Sequence, residues 1–260
     1  MGSSINQTTA RVHVWDLPVR IFHWSLVAAV VTAITTAEIG GDWMELHGKA
    51  GLAIIGLLAF RITWGVVGST HARFANFAPT PAKIRSYLAG RWQGVGHNPL
   101  GALAVFGLLG LLAAQAATGL FSSDDIAFNG PLFSFVDQSV ADRLTGYHHW
   151  LSNVLFALLG LHVGAILFYA VVKRNNLVIP MLTGWTVAHS PKPARKGSVF
   201  ALILSIAIAA VAVYGAGSAG AAVHAPAAVP APVASETATA VPAPAASVPA
   251  ASATRTTAAW

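Results

Sequence analysis

The sequence contains no cysteine, and only 9% of its 260 residues are charged. Without thiols the chain cannot form disulfides, thiolate metal sites, iron-sulfur clusters or the Cys-x-x-Cys-His attachment of a c-type haem. Soluble proteins carry about 25% charged residues, so this scarcity, together with 55% hydrophobic residues, indicates a membrane protein. Histidine, present ten times, remains as the soft-metal ligand.

Membrane-spanning segments are the dominant pattern in the sequence. A helix needs about 20 apolar residues to cross a bilayer. Five stretches qualify: Ile21 to Ala37, Ala50 to Gly68, Leu100 to Phe121, Trp150 to Val172 and Ser198 to Gly217. Pro18 after Asp16, and Pro99 after Asn98, are typical of capped first helical turns. We predict an all-α membrane protein, a four-helix transmembrane bundle followed by a fifth transmembrane helix.

Charged residues divide between the two sides of the predicted bundle. If the spans alternate in direction, one side receives Arg11, Arg20, Arg73, Lys83, Arg85, Arg91, Lys173, Arg174, Lys192, Arg195 and Lys196. Eight of the nine acidic residues fall on the other side. The positive-inside rule makes the basic side cytoplasmic, which predicts a multi-pass protein of the bacterial inner membrane with a cytoplasmic N-terminus. The net charge of +6 therefore reflects topology, and no nucleic-acid partner is predicted.

Four histidines pair by their depth in the membrane. His23 lies near the basic side in the first helix, and His47 lies near the acidic side in the second. In the fourth helix, His148 lies at the acidic side, and His162 lies about 21 Å further along at about 1.5 Å per residue. His148 is therefore at the depth of His47. By the same reasoning, His162 is at the depth of His23.

Helical rotation selects His148 rather than its neighbour His149. A helix turns about 100° per residue, so His148 and His162 project within about 40° of one another, whereas His149 points about 140° away from His162. Two opposed imidazoles suit the axial positions of a haem iron, and a flat apolar macrocycle suits a bundle core. We therefore predict two b haems per chain. A histidine-dependent transporter or a non-haem metal carrier would also concentrate imidazoles in spans, and stays open.

Arg61 is a charged residue at intramembrane depth. Arg61 follows His47 by as many residues as His162 follows His148. Arg61 therefore lies at the level of His23 and His162. A charge at this depth is costly unless it has a partner. We predict that Arg61 binds a propionate of the haem at that level, and a snorkelling side chain is the alternative.

Several motifs give the chain a family resemblance. They are Trp15-Asp16-Leu17-Pro18, Phe22-His23-Trp24, His47-Gly48-Lys49, Phe60-Arg61, Trp64-Gly65, Gly96-His97-Asn98-Pro99, Thr118-Gly119-Leu120-Phe121 and the interval from His148 to His162. Over about residues 11 to 186 the chain resembles the prokaryotic cytochrome b561 family, which includes the cytochrome b subunits of nickel-iron hydrogenases. The resemblance implies a four-helix bundle that carries electrons between quinone and a partner redox protein. It also implies two b haems, with ligands at His23, His47, His148 and His162.

The resemblance divides the chain into three parts. Residues 1–186 form the predicted di-haem domain, and residues 187–217 form a linker with the fifth transmembrane helix. Residues 218–260 are rich in alanine and proline, and we predict a disordered periplasmic tail.

We expect transmembrane electron transfer between a membrane quinone or quinol and a periplasmic redox partner. No nicotinamide or flavin domain is apparent, so quinone is the expected membrane-side substrate. Whether the protein also acts as a quinone-linked oxidoreductase stays open. His97 is a candidate for contacting a quinone carbonyl.

The charge of the loops on the acidic side of the bundle favours one kind of redox partner over others. Its two loops contain seven acidic and two basic residues, a net charge of −5. Such a surface favours a protein with a basic docking face, so a c-type cytochrome is the preferred partner. A hydrogenase-like dehydrogenase, and superoxide oxidation coupled to quinone reduction, are the alternatives, although anionic superoxide would be repelled. No motif decides between a monomer and a homodimer.

Overall fold

The computed structural model describes residues 9–92, 94–126, 128–189 and 194–223. Over these residues the chain is mainly helical. Most of the predicted tail, residues 224–260, lies outside the described residues.

Five helices are long and apolar enough to cross a membrane, which confirms the predicted spans. The helices are α1 (Leu17–Ile39), α2 (Met44–Val67), α3 (Phe74–Phe77), α4 (Pro81–Leu88), α5 (Pro99–Gly119), α6 (Gln138–Val171), α7 (Val178–Thr183) and α8 (Val199–Val223). The long ones are α1, α2, α5, α6 and α8. Two strands, β1 (Thr9–His13) and β2 (Trp185–His189), are also present.

Side-chain caps begin three of the helices. Asp16 Oδ1 accepts a hydrogen bond from Val19 N at 2.9 Å at the start of α1. Asn98 Oδ1 accepts from Gly101 N at 2.7 Å at the start of α5. Thr80 caps the short helix α4 in the same way. Each cap satisfies a backbone N–H that has no partner within its helix, so the caps at Asp16 and Asn98 were correctly predicted.

Helix α6 begins at Gln138, well before the predicted start of this span at Trp150. The first turns of the helix contain polar residues and therefore extend it beyond the apolar run on which the prediction relied. Gln138 Nε2 donates to Asp142 Oδ1 at 2.8 Å, a pairing one turn along the helix that supports this extension.

The two strands join distant parts of the chain at one end of the bundle. They pair antiparallel, with Thr9 opposite His189 and His13 opposite Trp185. Just beyond them, Val14 N donates to Gly184 O at 2.8 Å, where Gly184 has a φ of 87° that favours glycine. The N-terminal segment and the segment after α6 therefore lie at the same end. We call it the basic end, formed by residues 9–16, 68–92, 94–98, 172–189 and 194–198.

The opposite end, which we call the acidic end, is formed by residues 40–46 and 120–137. Gly40 and Gly41 have φ values of 70° and 58°, which allow the sharp turn from α1 into α2. The second loop folds over the first turn of α2, where the Phe128 ring packs on Gly48. A side chain at Gly48 would meet this ring at 2.8 Å, so the second loop packs against the beginning of α2.

An apolar layer connects the helices at mid-depth. Its buried members are Val30, Ile54, Leu58, Leu112 and Leu155. They come from α1, α2, α5 and α6, and we call them the mid-bundle layer. The fifth transmembrane helix, α8, packs mainly along α2. Gly56 permits the close approach of Val213 at that contact.

Candidate functional site

Two histidines meet inside the acidic end of the bundle. His47 lies in the first turns of α2, and His148 lies on α6. Their ring centroids are 6.1 Å apart, and the ring planes are nearly perpendicular, at 84°. His149 is exposed and lies outside this pair, so the rotation predicted for α6 agrees with the structure.

Backbone carbonyls orient both rings. His47 Nδ1 lies 2.8 Å from Ala33 O on α1, and His148 Nδ1 lies 2.9 Å from Gln115 O on α5. A carbonyl oxygen can only accept a hydrogen bond, so each neutral imidazole donates from Nδ1 and keeps its lone pair on Nε2. This is the arrangement by which proteins orient a metal-binding histidine.

The separation of the two rings fits one metal ion between them. A metal–imidazole bond is about 2 Å long and the ring centroid lies about 1 Å beyond the nitrogen, so rings on opposite sides of one ion have centroids about 6 Å apart. The observed 6.1 Å is therefore a separation at which His47 and His148 would be able to hold a haem, which would supply a redox-active iron.

Helix α5 supplies polar groups beside His148 that the sequence analysis did not identify. Gln115 Nε2 lies 3.1 Å from His148 Nε2, and the Thr118 hydroxyl lies 3.2 Å from His148 Nδ1. Gln115 Oε1 is buried and has no hydrogen-bond partner among the described residues. Gln115 and Thr118 could have been identified from the sequence, because they are polar residues that interrupt an otherwise apolar span.

The second pair lies at the basic end. His23 on α1 and His162 on α6 are both half-buried. His23 Nδ1 is buried and finds no hydrogen-bond partner among the described residues. An unpartnered buried nitrogen is costly, and the level of His23 and His162 is the predicted position of the second haem.

The mid-bundle layer separates the two pairs. Each histidine lies seven residues along its own helix from a member of this layer: His23 from Val30, His47 from Ile54, and both His148 and His162 from Leu155. At about 1.5 Å per residue this is about 10 Å. The pairs therefore lie at two levels, on opposite faces of one apolar layer.

Arg61 is buried, with 3% of its surface exposed. Its Nη1 donates to Ala72 O at 3.1 Å, and its guanidinium carbon lies 4.5 Å from the centre of the Phe74 ring. The same Phe74 ring covers Gly65. The Arg61 guanidinium thus contacts the loop at the basic end and is buried there.

His97 lies in an aromatic environment near Arg61. Its ring centroid is 4.5 Å from those of Trp15 and Phe77. Burial, followed by the Arg61 and His71 charges, lowers the pKa of His97 to about 3. Its Nδ1 is buried without a partner among the described residues, as is His71 Nε2. The side chains of His189 and His224 lie outside the described part of the chain.

Within the described ranges, no group of three or more His, Asp or Glu side chains is arranged to hold a metal ion. The intramembrane imidazoles occur in pairs. A bare transition metal usually requires three or four protein ligands, whereas a porphyrin iron requires two.

The chain is similar to known proteins over most of its helical region. Residues 14–184 match the family model described as prokaryotic cytochrome b561. A "Probable Ni/Fe-hydrogenase B-type cytochrome subunit" from Azotobacter chroococcum mcd 1 is 27% identical, covering 70% of this chain and 91% of that protein. A protein of the same description from Cupriavidus necator is 26% identical over 71% of this chain and 88% of its own length.

A differently described relative is also similar. The "Probable superoxide oxidase CybB" of Yersinia pestis is 27% identical, covering 62% of this chain and 90% of its own length. No solved structure matches the chain significantly. The match of the family model to most of the helical region shows that the chain belongs to the prokaryotic cytochrome b561 family of membrane electron-transfer proteins, which carry haem b.

Proposed function

We propose that the protein transfers electrons across the membrane through two b haems. His47 and His148 hold the haem at the acidic end, and His23 and His162 hold the haem at the basic end. The observation that carries the proposal is the separation of 6.1 Å between the opposed rings of His47 and His148. The same helix, α6, presents its second histidine further along on a similar face.

The residues of each site have distinct tasks. Haem iron supplies a one-electron carrier when it is bound. Ala33 O and Gln115 O fix the tautomers of His47 and His148, so each Nε2 carries a lone pair, and Gln115 Nε2, which lies 3.1 Å from His148 Nε2, would move away when a haem binds. Gln115 and Thr118 form a polar wall beside His148. The apolar side chains of the bundle exclude water and favour a large apolar macrocycle.

Arg61 has a role at the basic end in this proposal. Its Nη1 uses one donor on Ala72 O. A guanidinium has five N–H donors, so it retains donors for a haem propionate. The negative propionate would compensate the cost of burying this cation.

Quinone or quinol is the proposed membrane-side substrate. His97 and His71 each present a buried ring nitrogen without a described partner. Trp15 and Phe77 pack against His97. An apolar aromatic wall with a few hydrogen-bonding groups is the environment that a quinone headgroup requires. This supports a quinone site at the basic end.

The acidic end is the proposed docking surface for the redox partner. Exposed carboxylates lie on or beside both of its loops, at Glu38, Asp42, Asp125 and Asp137. Lys49 is paired with Glu45 at 2.6 Å, which neutralises one of the few cations there. A partner with a basic face fits this surface, and a c-type cytochrome is our preferred partner. The two hydrogenase-subunit relatives make a dehydrogenase the second choice.

Salt dependence tests the docking proposal. Electron transfer to a c-type cytochrome should slow several-fold between about 20 and 200 mM salt, because ions screen exposed charges. The double variant Glu38→Gln/Asp42→Asn should slow transfer at low salt and reduce its salt dependence. A rate that is independent of salt would exclude electrostatic docking at this surface.

Superoxide oxidation is a second candidate because the Yersinia pestis relative is described as a superoxide oxidase. The acidic end argues against it, since this surface repels an anion. Superoxide consumption by the purified protein with quinone as acceptor distinguishes this activity from cytochrome-dependent transfer.

The basic end is proposed to face the cytoplasm, under the positive-inside rule. The N-terminus would then be cytoplasmic, and the tail after α8 would be periplasmic. Five crossings place Met1 and Trp260 on opposite sides of the membrane, so reporter fusions at these two residues should report opposite compartments. If both fusions reported the same compartment, an odd number of crossings would be wrong.

Spectroscopy tests the central proposal. The purified protein should show b-type bands in a reduced-minus-oxidised spectrum and about two haems per chain. His47→Ala and His23→Ala should each lower this ratio to about one, with different remaining bands. A colourless protein, or one haem per chain in the wild type, would exclude the proposal. A colourless protein would favour a histidine-dependent transporter or a non-haem metal carrier.

A further inference from the structure

A cavity of about 540 Å³ lies at the basic end, outside both histidine pairs. Strand β1, the start of α1, the end of α2 and the segment before α8 surround it. All of these elements meet where α1 and α8, two of the helices long and apolar enough to cross a membrane, begin. The volume lies within the usual range of about 300–1,000 Å³ for small-molecule sites.

Hydrogen bonds between distant segments build the walls of the cavity. Thr70 N donates to Arg195 O at 3.1 Å, and Arg195 N donates to Thr70 Oγ1 at 2.8 Å. On the opposite wall, Val14 is held through Gly184 and the β1–β2 pairing. The cavity is thus enclosed by tertiary contacts among three separate parts of the chain.

The rim of the cavity is cationic. Arg11, Arg195 and Lys196 line it with exposed side chains. None of these three side chains forms an ion pair with a described residue, since the sole ion pair in the described part of the chain joins Lys49 and Glu45. Arg11 lies 5.9 Å from the centre of the Trp185 ring, a cation–π contact with a neutral group that leaves the net positive charge of the rim unchanged.

Asp16 is the only carboxylate among the described residues that line the cavity, and it is already engaged. Its Oδ1 accepts from Val19 N at 2.9 Å, and its Oδ2 accepts from Trp64 Nε1 at 3.1 Å. Three cations and one carboxylate give a local charge of +2 with neutral histidines. An anionic ligand is therefore favoured.

The floor of the cavity is apolar. Val14 and Trp64 are buried, with 3% and 2% of their surfaces exposed, and Leu17 and Leu202 also line the cavity. A ligand that fits both parts must combine an anionic group with an apolar body. At the surface of a bilayer, an anionic phospholipid has this chemistry.

We propose that this cavity binds the phosphodiester headgroup of an anionic phospholipid. The phosphate lies at the rim formed by Arg11, Arg195 and Lys196, and the glycerol end of the lipid lies against Leu17 and Trp64. Basic pockets between membrane helices bind anionic headgroups in this manner. A bound lipid would contact β1, α2 and α8. It would thereby link the fifth transmembrane helix, α8, which the four-helix pattern lacks, to the rest of the bundle.

Lipid titration of the full-length protein tests the proposal. Delipidated protein in detergent is titrated with phosphatidylglycerol, phosphatidylcholine or inorganic phosphate, and binding is followed by native mass spectrometry and thermal stability. The wild type should bind phosphatidylglycerol at least about 10-fold more tightly than phosphatidylcholine, since each basic residue near a headgroup contributes about 1 kcal/mol, which is about 5-fold in affinity.

Charge-matched variants identify the site. Arg195→Gln/Lys196→Gln should weaken phosphatidylglycerol binding about 10-fold or more. Arg11→Gln, on a different wall, should weaken it about 5-fold. The control Arg85→Gln/Arg91→Gln removes two exposed charges from the same end, outside the cavity, and should leave binding within about 2-fold, because these charges do not line the cavity.

Four results would overturn the proposal. Equal binding of the two lipids would exclude an anionic headgroup, and equal losses in the cavity and control variants would indicate general surface attraction. Displacement by millimolar inorganic phosphate would identify free phosphate as the ligand. Displacement by a short-chain quinone would identify the cavity as a quinone site. The lipid measurements depend on neither haem binding nor electron transfer; the cavity shares His71 with the proposed quinone site, so only the quinone displacement also bears on the proposed function.

Discussion

The two histidine pairs differ in how the protein orients them. At the acidic end, both Nδ1 atoms are hydrogen-bonded to carbonyls of neighbouring helices. At the basic end, His23 Nδ1 is buried without a described partner. The first pair is thus oriented by directional bonds, whereas packing alone orients His23. A hydrogen-bonded imidazole is a better metal ligand, so we expect the acidic-end haem to be retained more strongly than the basic-end haem.

Separate replacement of His148 and His149 should give the largest difference in haem content between two variants at the acidic end. His148→Ala removes one side of the pair at 6.1 Å, and we expect the loss of one haem per chain. His149→Ala changes an exposed neighbour and should retain both haems. Pyridine haemochrome quantification measures the outcome. If His149→Ala lost the haem, the proposed orientation of α6 would be wrong.

Arg61→Met should confine its effect to the basic end. The variant removes the hydrogen bond to Ala72 O and the contact with the Phe74 ring. Hydrogen bonds from charged groups contribute about 1.5–3 kcal/mol, so we expect a loss of about 2 kcal/mol in stability with reduced retention of the basic-end haem. Thermal unfolding and haem stoichiometry measure these effects. Weaker retention at the acidic end alone would contradict a propionate contact at Arg61.

His97 should make the basic end sensitive to acid. Its pKa is about 3 in the folded protein, lowered by burial and then by Arg61 and His71, whereas an unfolded histidine titrates near a pKa of about 6.5. The unfolded chain therefore binds a proton below about pH 6.5 that the folded protein does not bind. The full contribution of neutral His97 to the free energy of unfolding is present above about pH 6.5. About 2 kcal/mol of this contribution is lost by about pH 5.

The control for this pH effect is His97→Gln, which has no titrating imidazole. The difference in thermal midpoint between pH 7 and pH 5 should be smaller in the variant than in the wild type. The comparison also removes the contribution of haem-ligand protonation, which both proteins share. Identical pH dependence would mean that His97 is protonated without cost in the folded state.

Gly119→Ala should cause the smallest effect, at the acidic end. An added Cβ would lie 2.9 Å from His148 Cε1, so the ring must shift. We expect a change of about 1 kcal/mol in haem retention. The control is Gly110→Ala on the same helix, where a Cβ meets nothing within 4 Å and alanine favours the helix. Titration of both variants with haem compares them, and equal affinities would show that the His148 ring adjusts freely.

The sequence predicted the features that depend on local periodicity. The five spans, the depths of the histidines and the selection of His148 over His149 all follow from the regular rise and rotation of an α-helix. The caps at Asp16 and Asn98 follow from residue type and position. The ligand roles of His23, His47, His148 and His162 remain proposals.

Features that depend on distant contacts could not be predicted. The strands β1 and β2 are short and lie near opposite ends of the described chain, so neither segment identifies its partner. Gln115 and Thr118 lie beside His148 only because α5 packs on α6. The Arg61 contacts with Ala72 and Phe74 depend on the path of a loop, which spacing within a helix does not determine.

The mid-bundle layer has a consequence for energy conversion. An electron that passes between the two proposed haem levels crosses this layer, whose five side chains carry no group that could move a compensating proton with it. Electron transfer through the bundle would then move net charge across the bilayer. The membrane potential would assist or oppose each electron by up to about 2.3 kcal/mol per 100 mV, so the protein's turnover would respond to the energised state of the cell.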